Sequence, residues 1–216
     1  MNKNEQFVIS INRELGSGGR TVGRKLAERL GVEFFDKAII KGLEERYNLS
    51  LEEIEKLRGR KHNWWEDFKR IVRIGEGCMT VNAPLSGQEE SDRQPDQPTT
   101  SEMFKAETEI LEAIAEDESC VVAGRSGFFV FRNHPNHLSV FIQASMPFRV
   151  NRLIQKRGMT EEEALKIIKK VDEMRENYVK KYTGTTRYDT RNYDIVITAD
   201  GKTEDEIVEH ILSFIG

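Results

Sequence analysis

Apolar and polar positions fall into short uniform apolar runs separated by longer stretches of helical period. Residues 7–11 (FVISI) form a β-rich run that stops at Asn12. From Thr21 onward, Val22, Leu26 and Leu30 recur at four-residue spacing with Gly23 and Ala27 beside them, while Arg24, Lys25, Glu28 and Arg29 take the other face. The order is strand, glycine loop, helix. Gly31 ends the helix, and residues 32–35 read as a second buried strand that delivers Asp36 at its carboxyl end.

The same alternation returns in the second half. Strands are predicted at 120–123, 138–142 and 194–198, with helices over 102–117, from Pro147, from a Thr160/Glu163 capping box to about Tyr182, and from a Thr203/Glu206 capping box to the end. Residues 37–47, 50–60 and 64–74 also read as helices, with Trp64 and Trp65 closing a small core of their own. Residues 84–101 hold three prolines and almost nothing apolar, the composition of a mobile loop. Uniform strands separated by helices imply an α/β fold with a parallel sheet covered on both faces, and 216 residues suffice for one sizeable core with excursions. Ligands of such sheets sit at the carboxyl ends of the strands. Those ends hold Arg13 to Arg20, Asp36, Gly124 to Gly127, and Gln143 to Ser145.

Composition narrows the function classes. Lys and Arg total 33 against 37 Asp and Glu, a net charge of -4 that gives no case for nucleic acid. With two cysteines, Cys78 and Cys120, and no C-x-x-C pair, a reducing, cytoplasmic setting is expected. Neither an 18-residue apolar stretch nor a signal peptide is visible, so no membrane partner is expected. The four histidines lack ligand spacing, and Gly124-Arg125-Ser126-Gly127 lacks the elbow of a serine hydrolase.

The sharpest chemical signal is Gly16-Ser17-Gly18-Gly19-Arg20-Thr21 between a strand and a helix. Glycines let the backbone close round phosphate oxygens, and the helix start offers unpaired amides. A tight structural turn is the alternative. No G-x-G-x-x-G fits, which weakens a dinucleotide reading even though Asp36 follows Gly16 by 20 residues. Asp36 can accept from a ligand or cap the segment that begins at Lys37. Arg125, between two glycines after a buried strand, suits bidentate phosphate recognition or a loop ion pair. Arg149 and Arg152 share a helix face with Lys156, and Arg157 follows. They can neutralise a transferring phosphoryl group or form an exposed basic face. Asp172 and Arg175 either reach a nucleotide or brace one another. Arg187, Arg191 and Tyr193 belong to a polar loop that either closes against the ligand or, as expected, is fastened by them to the body.

Together these residues resemble the nucleoside monophosphate kinases of the P-loop superfamily, specifically the cytidylate kinase-like family. The resemblance rests on residues 8–40 (VISINRELGSGGRTVGRKLAERLGVEFFDKAII), on residues 118–184, and on 192–198 (NYDIVIT). It implies a three-layer P-loop sandwich whose five parallel strands run in order 2-3-1-4-5. A nucleoside monophosphate-binding insert at 37–101 and a lid near 155–160 are implied with it. It further implies that Gly16, Ser17, Gly18, Gly19, Arg20 and Thr21 hold the phosphates of ATP, with the Thr21 hydroxyl near Mg2+. Asp36, Lys37, Lys41, Arg125, Asp172 and Arg175 would meet the acceptor nucleotide, and Arg20, Arg149, Arg152 and Arg157 would supply catalytic positive charge.

The chain also departs from the family's enzymes. Gly19 stands where an ordinary monophosphate kinase has its phosphate-binding lysine, with Arg20 displaced by one position. Lys37-Ala-Ile-Ile-Lys41 replaces the Ser-Gly-Ala-Ile-Tyr-Arg that follows the aspartate in cytidylate kinases. The expected activity is therefore phosphoryl transfer from ATP to a nucleoside monophosphate, CMP or dCMP among them, or to a related small acceptor. The alternative is a nucleotide-binding regulatory module with weak or lost catalysis. Oligomeric state stays open.

Overall fold

The computed structural model describes residues 1–36, 100–124 and 126–216. The helices and loop expected between 37 and 99, with Lys37, Lys41, Trp64 and Trp65, lie outside these residues, as does Arg125. The chain divides into two compact units, Met1–Lys37 with Ile114–Gly216, and Ala38–Ala113.

The described elements are β1 (Val8–Arg13), α1 (Gly19–Leu30), β2 (Glu33–Asp36), α2 (Thr100–Asp117), β3 (Cys120–Ala123), α3 (Gly127–Val130), β4 (His137–Gln143), α4 (Met146–Arg157), α5 (Glu161–Thr183), a 3-10 turn (Thr190–Asn192), β5 (Ile195–Thr198) and α6 (Glu204–Ile215). Of the second unit, the described part is α2 up to residue 113, where Ile110 and Leu111 are buried and Lys105 Nζ lies 3.6 Å from Glu109 Oε1. All described strands are parallel and run in the order β2-β3-β1-β4-β5. This is the P-loop NTPase sandwich, with β1 at the centre and every strand's carboxyl end on one edge.

The two faces of the sheet differ in chemistry. Ile9 and Ile11 of β1, Val121 of β3, and Leu138, Val140 and Ile142 of β4 join Val22, Leu26 and Ala27 of α1 and Ile207, Val208 and Ile211 of α6 in one buried apolar cluster. Each fully buried branched side chain there contributes about 1.5–3 kcal/mol. Gly23 lets α1 approach closely, because a methyl group at that position would lie 2.8 Å from Phe34 Cε2. The opposite face carries Ser10, His137, Ser139 and Phe141. Ser10 Oγ and His137 Nε2 hydrogen-bond at 2.8 Å, and Phe141 stacks on Tyr193 with ring centroids 4.9 Å apart.

Helix ends explain where the chain turns. Ser145 caps α4, Thr160 and Glu163 form a capping box on α5, and Thr203 with Glu206 forms one on α6. Gly31, Gly158 and Gly184 close α1, α4 and α5 in the left-handed conformation. Residues 155–160 thus hold the last turn of α4, Gly158, Met159 and the cap of α5. Thr203→Ala is expected to cost about 1 kcal/mol by leaving the Glu206 amide without its acceptor. Urea denaturation measures this, and the same substitution at the neighbouring, half-buried Lys202 should change stability far less. Among the described residues no helix is long and apolar enough to cross a membrane.

Candidate active site

The loop between β1 and α1 is built by its own short-range bonds and by α4 and α5. Glu14 N donates to Ile142 O at 3.1 Å, extending the ladder one residue beyond the strand. The Glu14 carbonyl accepts from Ser17 Oγ at 3.0 Å, and its carboxylate accepts from Ala144 N at 2.9 Å. Ser17 is therefore a buried turn former with its hydroxyl already engaged. Gly16 and Gly18 both take φ 87°, a conformation that disfavours any side chain. At Gly16 a methyl group would also lie 2.9 Å from Arg149 O, so α4 presses directly on the loop.

Helix α1 differs from the other long helices of the sheet unit in how it begins. Gly18 offers no side-chain cap, and the first turn contains no acidic residue. Its first internal bond is Val22 N to Gly18 O at 3.1 Å. Among the described residues no acceptor is bonded to the amides of Gly19, Arg20 or Thr21. Free amides and the positive end of the helix dipole together suit an anion.

Arginines crowd the same edge. Asp172 of α5 is the acidic centre of the group. It accepts from Leu15 N at 3.0 Å and from Arg149 Nη2, while Arg175 Nη1 and Arg187 Nη1 lie 3.6 and 3.7 Å away. Arg149 also donates Nε to Leu15 O at 2.7 Å and places Nη1 3.4 Å from Glu14 Oε1. Arg175 and Arg187 both donate to the carbonyl of Arg13. Arg149, Arg175 and Arg187 thus gather round two carboxylates, Glu14 and Asp172, and two of them also hold the backbone of Arg13. Burial pulls the Arg175 guanidinium down to about 10, with repulsion from Arg187 adding to it and Asp172 opposing. Three guanidinium groups against two carboxylates leave this edge with surplus positive charge.

The other expected site residues separate from one another. Arg20 turns away from the loop, its Nε bonding Asp36 Oδ2 at 2.5 Å. Its side chain is 66% exposed and that of Asp36 only 4%, so the pair links a solvent-facing cation to the buried end of β2. Arg149 and Arg152, expected on one face, diverge. Arg149 is buried in the loop's support, whereas Arg152 binds Glu204 at 2.5 Å and brings its guanidinium alongside Gly18. Arg157 is exposed at the end of α4. The Thr21 hydroxyl is half-buried in the first turn of α1. Arg187 is 2% exposed and Tyr193 donates to its carbonyl at 2.7 Å, so these two do fasten the polar loop, while Arg191 is exposed and pairs with Asp189.

Sequence reasoning passed over Arg13 as a site residue. It sits at the end of β1, and a methyl group on Gly19 would lie 2.6 Å from its Cβ and 3.1 Å from its Cγ. A methyl group on Gly124 would overlap its Nη1. The available signal was an arginine before the loop coupled to a glycine at the position of the lysine, a pairing visible only once the two are adjacent.

Comparison with family models matches residues 8–200, all five strands included, to the cytidylate kinase-like family. The chain belongs to the cytidylate kinase-like family. Over 209 residues it is 22% identical to a cytidylate kinase of Sulfolobus acidocaldarius, spanning 96% of this chain and 93% of that protein. The crystal structure of an uncharacterized protein from Eubacterium ventriosum has a TM-score of 0.68 to it at 23% identity, over 97% of this chain and 98% of that one. The fold is that of a kinase-like phosphotransferase with capacity for nucleotide and magnesium, and the uncapped loop lies at the carboxyl end of its central strand β1. Magnesium in such sites takes one or two protein oxygens and completes its shell with water and phosphate. A lone hydroxyl in the first turn of α1, at Thr21, fits that demand. Among the described residues there is no cluster of three or more His, Cys, Asp or Glu that could hold a metal by itself.

Proposed function

We propose that the protein is an ATP-dependent, magnesium-requiring kinase that transfers a phosphoryl group to a nucleoside monophosphate or a related small acceptor, with CMP and dCMP the first candidates. The observation that carries this reading is the uncapped start of α1 beside three arginines held against two carboxylates. Such an edge gains most from a polyanionic ligand.

Residues 16–21 wrap the donor's phosphates, and the Thr21 hydroxyl helps to hold magnesium, which supplies charge neutralisation when bound. Arg152 reaches the loop from α4 and adds positive charge, as does Arg157 if the end of α4 moves inward. Arg149 is a positioning residue, because its guanidinium is consumed by Leu15 O, Glu14 and Asp172. Arg20 and Asp36 stand at the end of β2, toward the expected acceptor side, with Lys37, Lys41, Arg125 and Arg175 completing the acceptor's surroundings. Asp172 keeps Arg175 and Arg187 in place. No side-chain general base is required, since an acceptor phosphate is already anionic and transfer depends on positioning and electrostatics.

The test is ADP release from ATP and magnesium over a panel of nucleoside monophosphates, with direct detection of the phosphorylated product and an acceptor-free control. Acceptor-dependent product is expected. Folded, ATP-binding protein that forms no product would reject the kinase and favour a regulatory nucleotide-binding module. That second reading has one specific support, the engagement of Arg20 by Asp36 rather than by the loop.

A further inference from the structure

We propose that Arg13, rising from the end of β1, supplies the phosphate-binding cation that the glycine loop lacks, and that position 19 is glycine because the stem of Arg13 occupies its space. The inference rests on the kinase reading and deepens it. Three observations carry it.

The first is steric. Heavy atoms almost never approach a Cβ within 3.0 Å, so a lysine at 19 cannot coexist with the Arg13 stem. Arginine at 13 and glycine at 19 form a complementary pair, in which the cation arrives from the strand rather than from the helix. Ile142 Cβ stands 3.5 Å from the same point and closes the third side. A side chain on Gly19 therefore has no easy way round. The second is the position of the guanidinium. It lies against Gly124, immediately beyond β3, and beside the end of β2, where Asp36 pairs in register with Ala123. The stem starts next to the first amides of α1, so one side chain spans from the loop to the expected acceptor side.

The third is charge. Among the described residues no carboxylate forms an ion pair with Arg13, and its neighbours Arg175, Arg187 and Arg20 are cations. Burial chiefly, with repulsion from Arg175, pushes its ionisation down to about 9, and Asp36 only partly offsets this. A guanidinium held protonated in such surroundings gains strongly from phosphate oxygens. During transfer one P–O bond to the donor breaks and one to the acceptor forms, and the electron pair and negative charge pass to the leaving diphosphate. Arg13 exchanges no proton and stabilises that charge by hydrogen bonding alone.

The experiment compares wild type with Arg13→Ala, Arg13→Lys, Arg13→Gly and the double variant Arg13→Gly/Gly19→Lys. It reads kcat and KM for ATP, ATP affinity by calorimetry, and thermal midpoint. Removing one such donor should lower kcat by about a hundredfold or more. Lysine at 13 should recover part of the loss. The double variant, which moves the cation to the helix side after clearing the space, should exceed Arg13→Gly by at least about tenfold. Folded Arg13→Ala with wild-type kcat and ATP affinity would overturn the assignment, as would a folded double variant no better than Arg13→Gly. If wild type binds ATP without turnover, the kinase reading fails separately. A large loss of ATP affinity in Arg13→Ala would then still uphold Arg13 as the loop's cation, and unchanged affinity would reject it.

Discussion

Asp172→Ala should lower the stability of the protein by roughly 3–5 kcal/mol, the range seen when one partner of a buried ion pair is removed. Asp172 is 8% exposed and holds Leu15 N and Arg149 directly, with Arg175 and Arg187 close by. Without it, Glu14 alone would balance Arg149, Arg175 and Arg187, and Arg187, 2% exposed, would keep no carboxylate among these contacts. For a chain of this size the thermal midpoint should fall by about 10 °C. Asp172→Asn should cost less, because the amide oxygen still accepts from Leu15 N while the charge is lost. Both variants should also raise KM for ATP, since Leu15 sits at the start of the phosphate loop. Urea denaturation and ATP titration read the two effects. A loss below about 1 kcal/mol for Asp172→Ala would show that the arginines rehydrate freely, as exposed pairs do.

Acid should weaken the protein between about pH 6.5 and 4 through His137. Burial pushes this imidazole down to about 4, with Asp194 opposing the shift and His134 reinforcing it. The folded state therefore keeps His137 neutral where the unfolded chain already binds a proton. Its contribution is complete above the unfolded value, near 6.5, and is lost progressively as pH falls through the folded value. The full difference amounts to a few kcal/mol. The ring is set among its neighbours by Ser10 Oγ, 2.8 Å from Nε2, and by the Phe131 ring, which packs edge-on at 5.7 Å. His137→Gln keeps a hydrogen-bonding group and removes the titration. The stability difference between wild type and this variant should shrink or reverse from pH 7 to pH 4. Parallel stability curves across that interval would show that His137 ionises as readily in the folded protein as in the unfolded chain.

Much of the architecture was legible in the pattern of residues. Residues 120–123, read as a strand from four apolar positions, are β3 without a change of boundary. The capping boxes at Thr160 and Thr203 start α5 and α6 as expected, because Thr and Glu three residues apart bond each other's backbone locally. Strand β1 runs two residues farther than its apolar run, through Asn12 and Arg13, because β4 pairs with it as far as Ile142. Helix α2 begins at Thr100, two residues ahead of the first position assigned to it from composition.

The candidate site was legible only in part. The glycine loop was found because its signal is local, with left-handed Gly16 and Gly18 and a helix start without a side-chain cap. The roles of the charged residues could not be read the same way. Arg149, Arg152 and Arg157 look alike along α4, yet one is buried in a network, one pairs with Glu204 and one is exposed.

The sequence by itself determined the strand–helix order, the helix caps and the glycine turn that opens α1, all of which follow from side-chain periodicity and bonds between near neighbours. Tertiary structure alone decided which arginines meet the loop and why position 19 is glycine. Arg149 meets Leu15 across 134 residues, Asp172 meets Leu15 across 157, and Arg175 and Arg187 meet the Arg13 carbonyl across 162 and 174. A long charged side chain has many local rotamers of similar energy, so its partner is chosen by whichever distant backbone or carboxylate the packed sheet brings within reach.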